Sequence, residues 1–381
     1  MRERIRVLVA SHTYVVKANR RKLEALADLG IEVGLLVPEV WRDAMIGRKF
    51  RFEDGTGAFQ AFPAPVPFAG RGGAYLFPPK AISKAVRALR PEIVHVEAEC
   101  FQLVTAQMAA LVRLLRVPMT LFTWEDIRHP RWRVPLARWS LRAVRHLFAG
   151  NQGAERLCRS LGYAGPASIL PQLGVELPPA GVKPRGFPTG DPRIVFVGRL
   201  GWHKGVDLLI RALAELHREG IRARLVVVGA GPEEERLRAL ARDLGVGEAL
   251  QWLGWVPHYG VPRVLAHADL LVLPSRRVPG WQEQFGHVLI EAMAVGLPVV
   301  GSSCGAIPDV IGRRDYIFPE GDAQALAQVL CRLLTDPRAY EEAARHSAER
   351  VQAFSNENVA AAMLRVWDGI LTNSAYHPSV S

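Results

Sequence analysis

The sequence predicts a doubly wound α/β architecture, built twice. Three observations predict it. Short β-branched runs alternate with helical stretches through the first half, a segment dense in proline and glycine interrupts them near the middle, and the same alternation then restarts. Strands separated by helices imply right-handed crossovers and parallel sheets, whose ligands bind beyond the carboxyl ends of the strands. At 381 residues the chain has room for two or three domains of ordinary size.

In the first half, Ile5–Ala10 is a short β-branched run. Lys17–Leu29 carries apolar residues at helical spacing and stops at Gly30. Ile31–Val37 reads as strand, closed by Pro38. Ala74–Leu89 reads as helix, Glu92–Val96 as strand and Cys100–Leu115 as a helix apolar on most sides. Met119–Phe122 is strand, Val134–Arg145 helix, His146–Ala149 strand, Asn151–Leu161 helix and Ser168–Leu170 strand. Residues 178–192 hold five prolines and three glycines in fifteen positions, a density that no helix or central strand survives, so this stretch reads as an interdomain linker.

Beyond it, Arg193–Leu200 is strand, Val206–Glu219 helix and Arg224–Val228 strand. A helix opens at Gly231-Pro232 and runs to about Leu244. Leu250–Leu253 is strand, Val261–His267 a short helix, Asp269–Leu273 strand, Phe285–Val295 helix and Pro298–Gly301 strand. From Ala323 to about Leu371 the pattern is helical throughout.

The composition, 49% hydrophobic and 22% charged, is that of a globular protein and excludes disorder or a disulfide mini-scaffold. Residues 1–190 hold 28 Lys and Arg against 15 Asp and Glu, a net +13, while residues 191–381 hold 20 against 22, a net −2. A basic half favours an anionic partner such as a phosphorylated substrate, a membrane surface or nucleic acid, or else it is a generic solvated surface. Cys100, Cys158, Cys304 and Cys331 are widely spaced, which fits a reducing cytoplasm better than a disulfide framework or zinc site. The charged, briefly apolar start reads as a first strand and not a signal peptide. No uncharged apolar run reaches the ~18 residues a bilayer span needs. The expected location is therefore cytoplasmic, with peripheral contact at the inner face of a membrane left open.

The strongest chemical signal is EQFGHVLIEAMAVGLP, residues 283–298. Glu283 precedes a helix and Glu291 lies about a turn and a half inside it. Between them the free N–H groups around Phe285, Gly286, His287 and Val288 open an anion site at the helix N-terminus. Carboxylates flanking that site accept hydrogen bonds from hydroxyls, so the ligand implied carries polyol at both ends and phosphate between, the description of a nucleotide sugar. A surface Glu pair on an amphipathic helix is the bland alternative. The second signal is VGRLGWHKG, residues 197–205, running from a strand's carboxyl end into a helix. Gly198 allows backbone approach, and Arg199 and Lys204 can neutralise a departing diphosphate. The Gly229-Ala230-Gly231 turn lacks a third glycine and a suitable acidic partner, and reads as packing instead of a nicotinamide fingerprint.

These stretches, with LGWVP, ADLLVLPS and GSSCGAIPDVIG in the same order over residues 193–371, resemble the retaining family-4 glycosyltransferases of the group 1 type. The resemblance implies the GT-B fold, two Rossmann-like domains facing a cleft: an acceptor-binding domain over residues 1–177, the linker 178–192, a donor domain over 193–355, and a final helix, 356–381, returning to the first domain. It implies transfer of a sugar from a nucleotide-diphosphate sugar to a hydroxyl of a glycan, a glycolipid or a small molecule, with retention and without a metal or other cofactor. Arg199 and Lys204 would bind the diphosphate, Glu283 the donor sugar, Glu291 the ribose and Val256 lie near the base. The acceptor hydroxyl would attack on the face the nucleotide leaves, and the leaving phosphate would take its proton.

The first half departs from the family pattern. Its first loop, SHTYVVKAN, lacks the Gly-Gly pair many relatives carry, and Glu97 stands at or near the position where many place a histidine. Lys17, Asn19, Glu97, Glu99 and Trp124 are candidates for positioning the acceptor, each as readily a solvated or packed side chain, and His95 reads as a hydrogen-bonded core residue. Arg128 to His146 packs six arginines and two tryptophans into nineteen residues. It could rest on an anionic membrane or be a surface helix with snorkelling arginines. An epimerase of similar fold, a relative that binds donor without transfer, and a nucleic-acid binder are the competing readings.

Overall fold

A computed structural model describes residues 4–42, 49–54, 57–70, 74–126 and 131–372. The chain divides into two compact units. One comprises the chain up to Gly174 together with the chain from Ser355 onward; the other is Val175–Phe354.

The first unit contains β1 (Arg6–Ser11), α1 (Arg21–Asp28), β2 (Glu32–Pro38), β3 (Val40–Arg42), β4 (Lys49–Arg51), β5 (Gln60–Ala64) and α2 (Pro79–Leu89). It continues with β6 (Ile93–Glu97), α3 (Leu103–Leu115), β7 (Met119–Thr123), α4 (Val134–Leu141), β8 (Val144–Ala149), α5 (Gln152–Ser160) and β9 (Ala167–Ile169). Seven strands form one parallel sheet in the order β5-β2-β1-β6-β7-β8-β9. Because alternate side chains of a strand face opposite ways, Leu8 and Ala10 pack with α3 and α4, while Val7 and Val9 pack with α1 and with the chain's last helix.

The second unit contains β10 (Arg193–Val197), α6 (Val206–Arg218), β11 (Arg224–Val228), α7 (Glu234–Asp243), β12 (Leu250–Gly254), α8 (Val261–Ala266), β13 (Leu270–Leu273) and α9 (His287–Ala294). After these come β14 (Val299–Ser302), α10 (Ile307–Ile311), β15 (Ile317–Phe318), α11 (Ala323–Thr335) and α12 (Pro337–Arg350). Its sheet is also parallel, in the order β12-β11-β10-β13-β14-β15. The helix α13 (Asn356–Thr372) lies in the first unit.

The structure differs from the sequence reading at five places. The helix expected from Ala74 begins at Pro79, because Pro78 is held extended and Pro79 suits a first helical position. The helix expected from Cys100 begins at Leu103, and the one expected to run to Arg145 ends at Leu141, with β8 already begun at Val144. The strand β5 was hidden by Pro63; it is an edge strand, where a missing N–H is tolerated. The proline-rich stretch 178–192 contains no helix or strand, yet it belongs to the second unit and is tied down there. Arg185 donates its N–H to the Gly296 carbonyl at 2.9 Å, and its guanidinium bonds the carbonyls of Ala266 and Ala268.

Each sheet reverses its winding once, between β1 and β6 in the first unit and between β10 and β13 in the second. Crevices at such reversals are where doubly wound sheets take ligands. In the first unit α13 backs this region: Trp367 is fully buried, donates Nε1–H to Thr120 Oγ1 at 3.1 Å and meets the His95 ring edge-on at 5.6 Å. Trp367→Ala is expected to cost the first unit about 3–5 kcal/mol. Urea unfolding of the variant should show an early transition for that unit, with the second unit's transition unmoved.

Candidate active site

At the winding reversal of the second sheet, the segments leaving β10 and β13 meet. Gly198 and Arg199 follow β10, and the loop then makes a short 3₁₀ turn over Trp202–Lys204 before α6. Lys204 Nζ reaches Glu283 Oε2 at 2.7 Å, and the Ser275 hydroxyl, just past β13, donates to the same oxygen at 2.8 Å. Glu283 is 8% exposed, and its Oε1 takes no hydrogen bond from the described residues. The carboxylate is thus oriented by two donors while keeping acceptor capacity for a ligand hydroxyl. Its backbone carbonyl is also fixed, accepting from Ala306 N–H at 2.9 Å.

Two glycines make this geometry possible. Gly286 has φ +79° at the N-cap of α9, and a Cβ there would come within 2.7 Å of Leu273. No side chain caps the helix, so its first N–H groups, beginning at His287 and Val288, stay available to a ligand. Gly229 has φ +133°, and a Cβ on it would sit 1.8 Å from the Gly198 carbonyl oxygen. The Gly229-Ala230-Gly231 turn therefore serves packing, holding the Gly198 loop through Gly198 N–H to the Val228 carbonyl and Leu200 N–H to the Ala230 carbonyl, both at 3.0 Å.

The remaining residues expected here divide by exposure. Arg199 is exposed and has no ion-pair partner among the described residues. His287 is exposed, and Phe285 and Val288 are half-buried against the unit's core. Glu291 lies on α9, with His258 Nδ1 3.7 Å from its Oε1; burial raises its pKa and the nearby His258 pulls it down. Val256 is half-buried in the loop after β12 that also supplies His258, so that loop reaches α9. Sequence reasoning missed Ser275, the last residue of ADLLVLPS, and Trp281, whose ring lies 4.7 Å from Lys204 Nζ and 4.2 Å from the His203 ring. The Val278–Trp281 bridge around Gly280 holds that tryptophan, and a V-P-G-W turn between a strand and a key carboxylate was the available signal.

The winding reversal of the first sheet carries a different set. Glu97 is fully buried and bonds Lys22 Nζ at 2.6 Å, the Tyr14 hydroxyl at 2.7 Å and Gln172 Nε2 at 3.1 Å, with His95 Nε2 at 3.4 Å. Burial opposes its ionisation, but Lys22 and His95 outweigh that and hold its pKa well below the usual carboxylate range. Glu99, also buried, accepts from the Thr123 hydroxyl and from the Trp124 and Glu125 N–H groups, yet burial and the neighbouring Glu125 raise it to about 8. His95 is a core residue bonded to Thr120 Oγ1 at 2.9 Å, and burial keeps it neutral. Trp124 is half-buried, 6.3 Å from the His12 ring, which stacks 4.2 Å from Trp41. Asn19 Nδ2 donates to the Thr13 carbonyl at 3.0 Å, shaping the first loop, and Lys17 is exposed. Tyr14, Lys22 and Gln172 gave no sequence signal, since a buried lysine on an amphipathic helix reads as a surface charge.

Comparison with known proteins identifies the family. A family model described as glycosyl transferases group 1 matches residues 182–350, and one described as a glycosyl transferase 4-like domain matches residues 15–171. The glycogen synthase of Mycobacterium tuberculosis is 30% identical over 298 residues, covering 74% of this chain and 69% of that protein. A GDP-mannose-dependent phosphatidylinositol monomannoside mannosyltransferase of Mycolicibacterium smegmatis is 34% identical, over 56% of this chain and 61% of its own. The putative colanic acid biosynthesis glycosyltransferase WcaL of Escherichia coli is 32% identical over 49% and 47%, so the match spans about half the length of some relatives. Among solved structures, a sucrose-phosphate synthase from Thermosynechococcus elongatus aligns with a TM-score of 0.69 at 20% identity over 97% of this chain and 99% of that one. Anabaena HepE in complex with UDP and glucose aligns at 0.65 and 16% identity over 96% and 100%. These solved structures show the GT-B architecture, and the two family models with the glycogen synthase match give the assignment: the chain belongs to the group 1 glycosyltransferases.

Proposed function

We propose that this protein transfers a sugar, with retention, from a nucleotide-diphosphate sugar to a hydroxyl acceptor, and that the second unit is the donor site. The observation that supports it most directly is the Lys204–Glu283–Ser275 cluster beside the uncapped N-terminus of α9. A cation, an oriented carboxylate and free N–H groups converge where a sheet of this kind takes its ligand. In this reading Glu283 Oε1 accepts a donor-sugar hydroxyl, Glu291 the ribose hydroxyls, and Arg199 and Lys204 stabilise the charge that grows on the leaving diphosphate. Because two side-chain cations and a helix N-terminus supply that stabilisation, no metal or other cofactor is needed. Lys17, Asn19 and Trp124 take the acceptor side, while Glu97 and Glu99, expected there from the sequence, are sealed beneath and hold the first loop and the Trp124 segment in place. The relatives described above include a transferase named for GDP-mannose and a neighbour holding UDP, and none of them is an epimerase. A lipid-carried acceptor would suit a chain lying at the inner face of a membrane.

A thermal-shift panel of nucleotides and nucleotide sugars identifies the donor. The true one should raise the melting temperature, by the equivalent of about 2.7 kcal/mol at a hundredfold excess over its Kd. Indifference to every nucleotide diphosphate would overturn the reading. NMR of the product should show the donor's anomeric configuration kept, and an inverted product would refute the retaining step.

The two cations should part company on substitution. Arg199→Ala is expected to lower kcat roughly a hundredfold or more with the melting temperature unchanged, because Arg199 is exposed and forms no ion pair among the described residues. Lys204→Ala should lower kcat similarly but also destabilise the second unit, since it leaves the Glu283 carboxylate with Ser275 as its one hydrogen-bond donor. Steady-state kinetics and differential scanning calorimetry of the pair check both halves.

A further inference from the structure

The arginine–tryptophan run is not used by the transfer chemistry, and the structure gives it a shape. Arg128–Pro130 lie outside the described residues, and Arg145 and His146 belong to β8, where His146 is buried; Arg131–Arg142 lie beside α3. On α4 and its cap, Arg138, Trp139 and Arg142 are exposed at helical spacing, while Ala137, Ser140 and Leu141 face the core. The outer end of α3 adds Arg113 and Leu114, the latter 80% exposed, and the turn before α4 adds Trp132, 72% exposed. Arg113 stacks over the Trp139 ring at 4.1 Å and donates to the Trp139 carbonyl at 3.0 Å, which joins the two helices into one face.

The charge on this face is not neutralised from within. Residues 101–146 contain eight arginines and two acids, Glu125 and Asp126. Arg113, Arg138 and Arg142 form no ion pair with a carboxylate among the described residues; Arg113 bonds carbonyls instead. Partial burial and the adjacent Arg142 charge both lower the Arg113 pKa, so the cations are crowded together. A face that exposes two indoles and a leucine amid unpaired guanidinium groups combines the two features of interfacial membrane binding: apolar side chains that enter the headgroup boundary and cations that meet anionic lipid. A nucleic-acid surface would share the charge but would not call for an exposed Leu114.

We infer that the Arg–Trp face of α3 and α4 docks on the headgroup layer of an anionic lipid bilayer. It is a binding surface distinct from the donor site in the second unit. It deepens the transferase reading by placing the enzyme where a lipid-carried acceptor would be found, but the docking itself requires neither donor nor acceptor.

Flotation of the full chain with vesicles tests it. The chain should float with phosphatidylcholine containing about a third phosphatidylglycerol, stay behind with phosphatidylcholine alone, and be released by high salt. The pair Arg138→Gln and Arg142→Gln should lower the partition coefficient roughly twenty- to thirtyfold, about fivefold per charge. A charge-matched pair on the second unit, Arg222→Gln with Arg242→Gln, should leave it unchanged. Trp132→Ala should weaken binding while keeping the preference for anionic lipid. Circular dichroism melts of these exposed-site variants confirm that each is folded. No flotation with anionic vesicles, equal flotation with neutral ones, an equal loss in both arginine pairs, or capture of added RNA without flotation would overturn the proposal. Since no sugar donor is present, any of these failures would leave the transfer reading standing.

Discussion

The candidate site rests on one ion pair, Lys204 to Glu283, drawn from the loops that follow two neighbouring strands. A carboxylate as little exposed as Glu283 is costly unless it is paired and hydrogen-bonded, and Lys204 and Ser275 supply both conditions on a single oxygen. Much of the surrounding architecture serves to keep these three groups together. The β10 loop is pinned by the glycine turn after β11, the carbonyl of Glu283 is pinned by Ala306, and the ring of Trp281 covers one side of the lysine. Satisfying one oxygen internally leaves the other for a ligand, which is how a structural pair can also be a binding device.

The two units use the same topological solution with different electrostatics. Both reverse their winding beside the first strand, and both place a lysine–carboxylate pair at the strand ends. In the second unit the pair is partly open and flanked by an uncapped helix. In the first, Lys22 and Glu97 are sealed, and Tyr14 and Gln172 fill the remaining acceptor positions of the carboxylate. Burial alone therefore does not decide the state of a carboxyl group here. Two residues on, Glu99 is equally buried but has hydroxyl and amide donors and a second carboxylate in place of a cation, and it is pushed up to about 8 where Glu97 is pulled down.

What the sequence made legible was whatever carries a period or a fixed spacing. The parallel strands of both sheets alternate with helices at regular intervals, and the Glu283–Glu291 spacing with Phe-Gly between fixes a helix N-terminus in a way few other sequences would. The Gly229-Gly231 turn, read as packing, lies too close to the Gly198 carbonyl to carry a side chain at Gly229. What stayed hidden depends on residues far apart in sequence. Lys22 meets Glu97 across 75 positions and Gln172 across 150, and nothing local distinguishes such a lysine from a solvated one. The edge strand β5 stayed hidden for a different reason: Pro63 interrupts its run, and only its tertiary position at an edge makes the missing N–H tolerable.

The sealed state of Glu97 bears on how a proton can move during transfer. A general base works best when its pKa lies near the working pH, and Lys22 and His95 hold the fully buried Glu97 far below that. It supplies fixed negative charge and shape to the first unit, not a titrating group. His95 offers no replacement, since it is buried, neutral and bonded to Thr120. In the proposed mechanism the acceptor's proton goes to the leaving phosphate, so neither residue is asked to take it. The positions that this chain has closed by burial are then ones that the reaction, as drawn, does not need open.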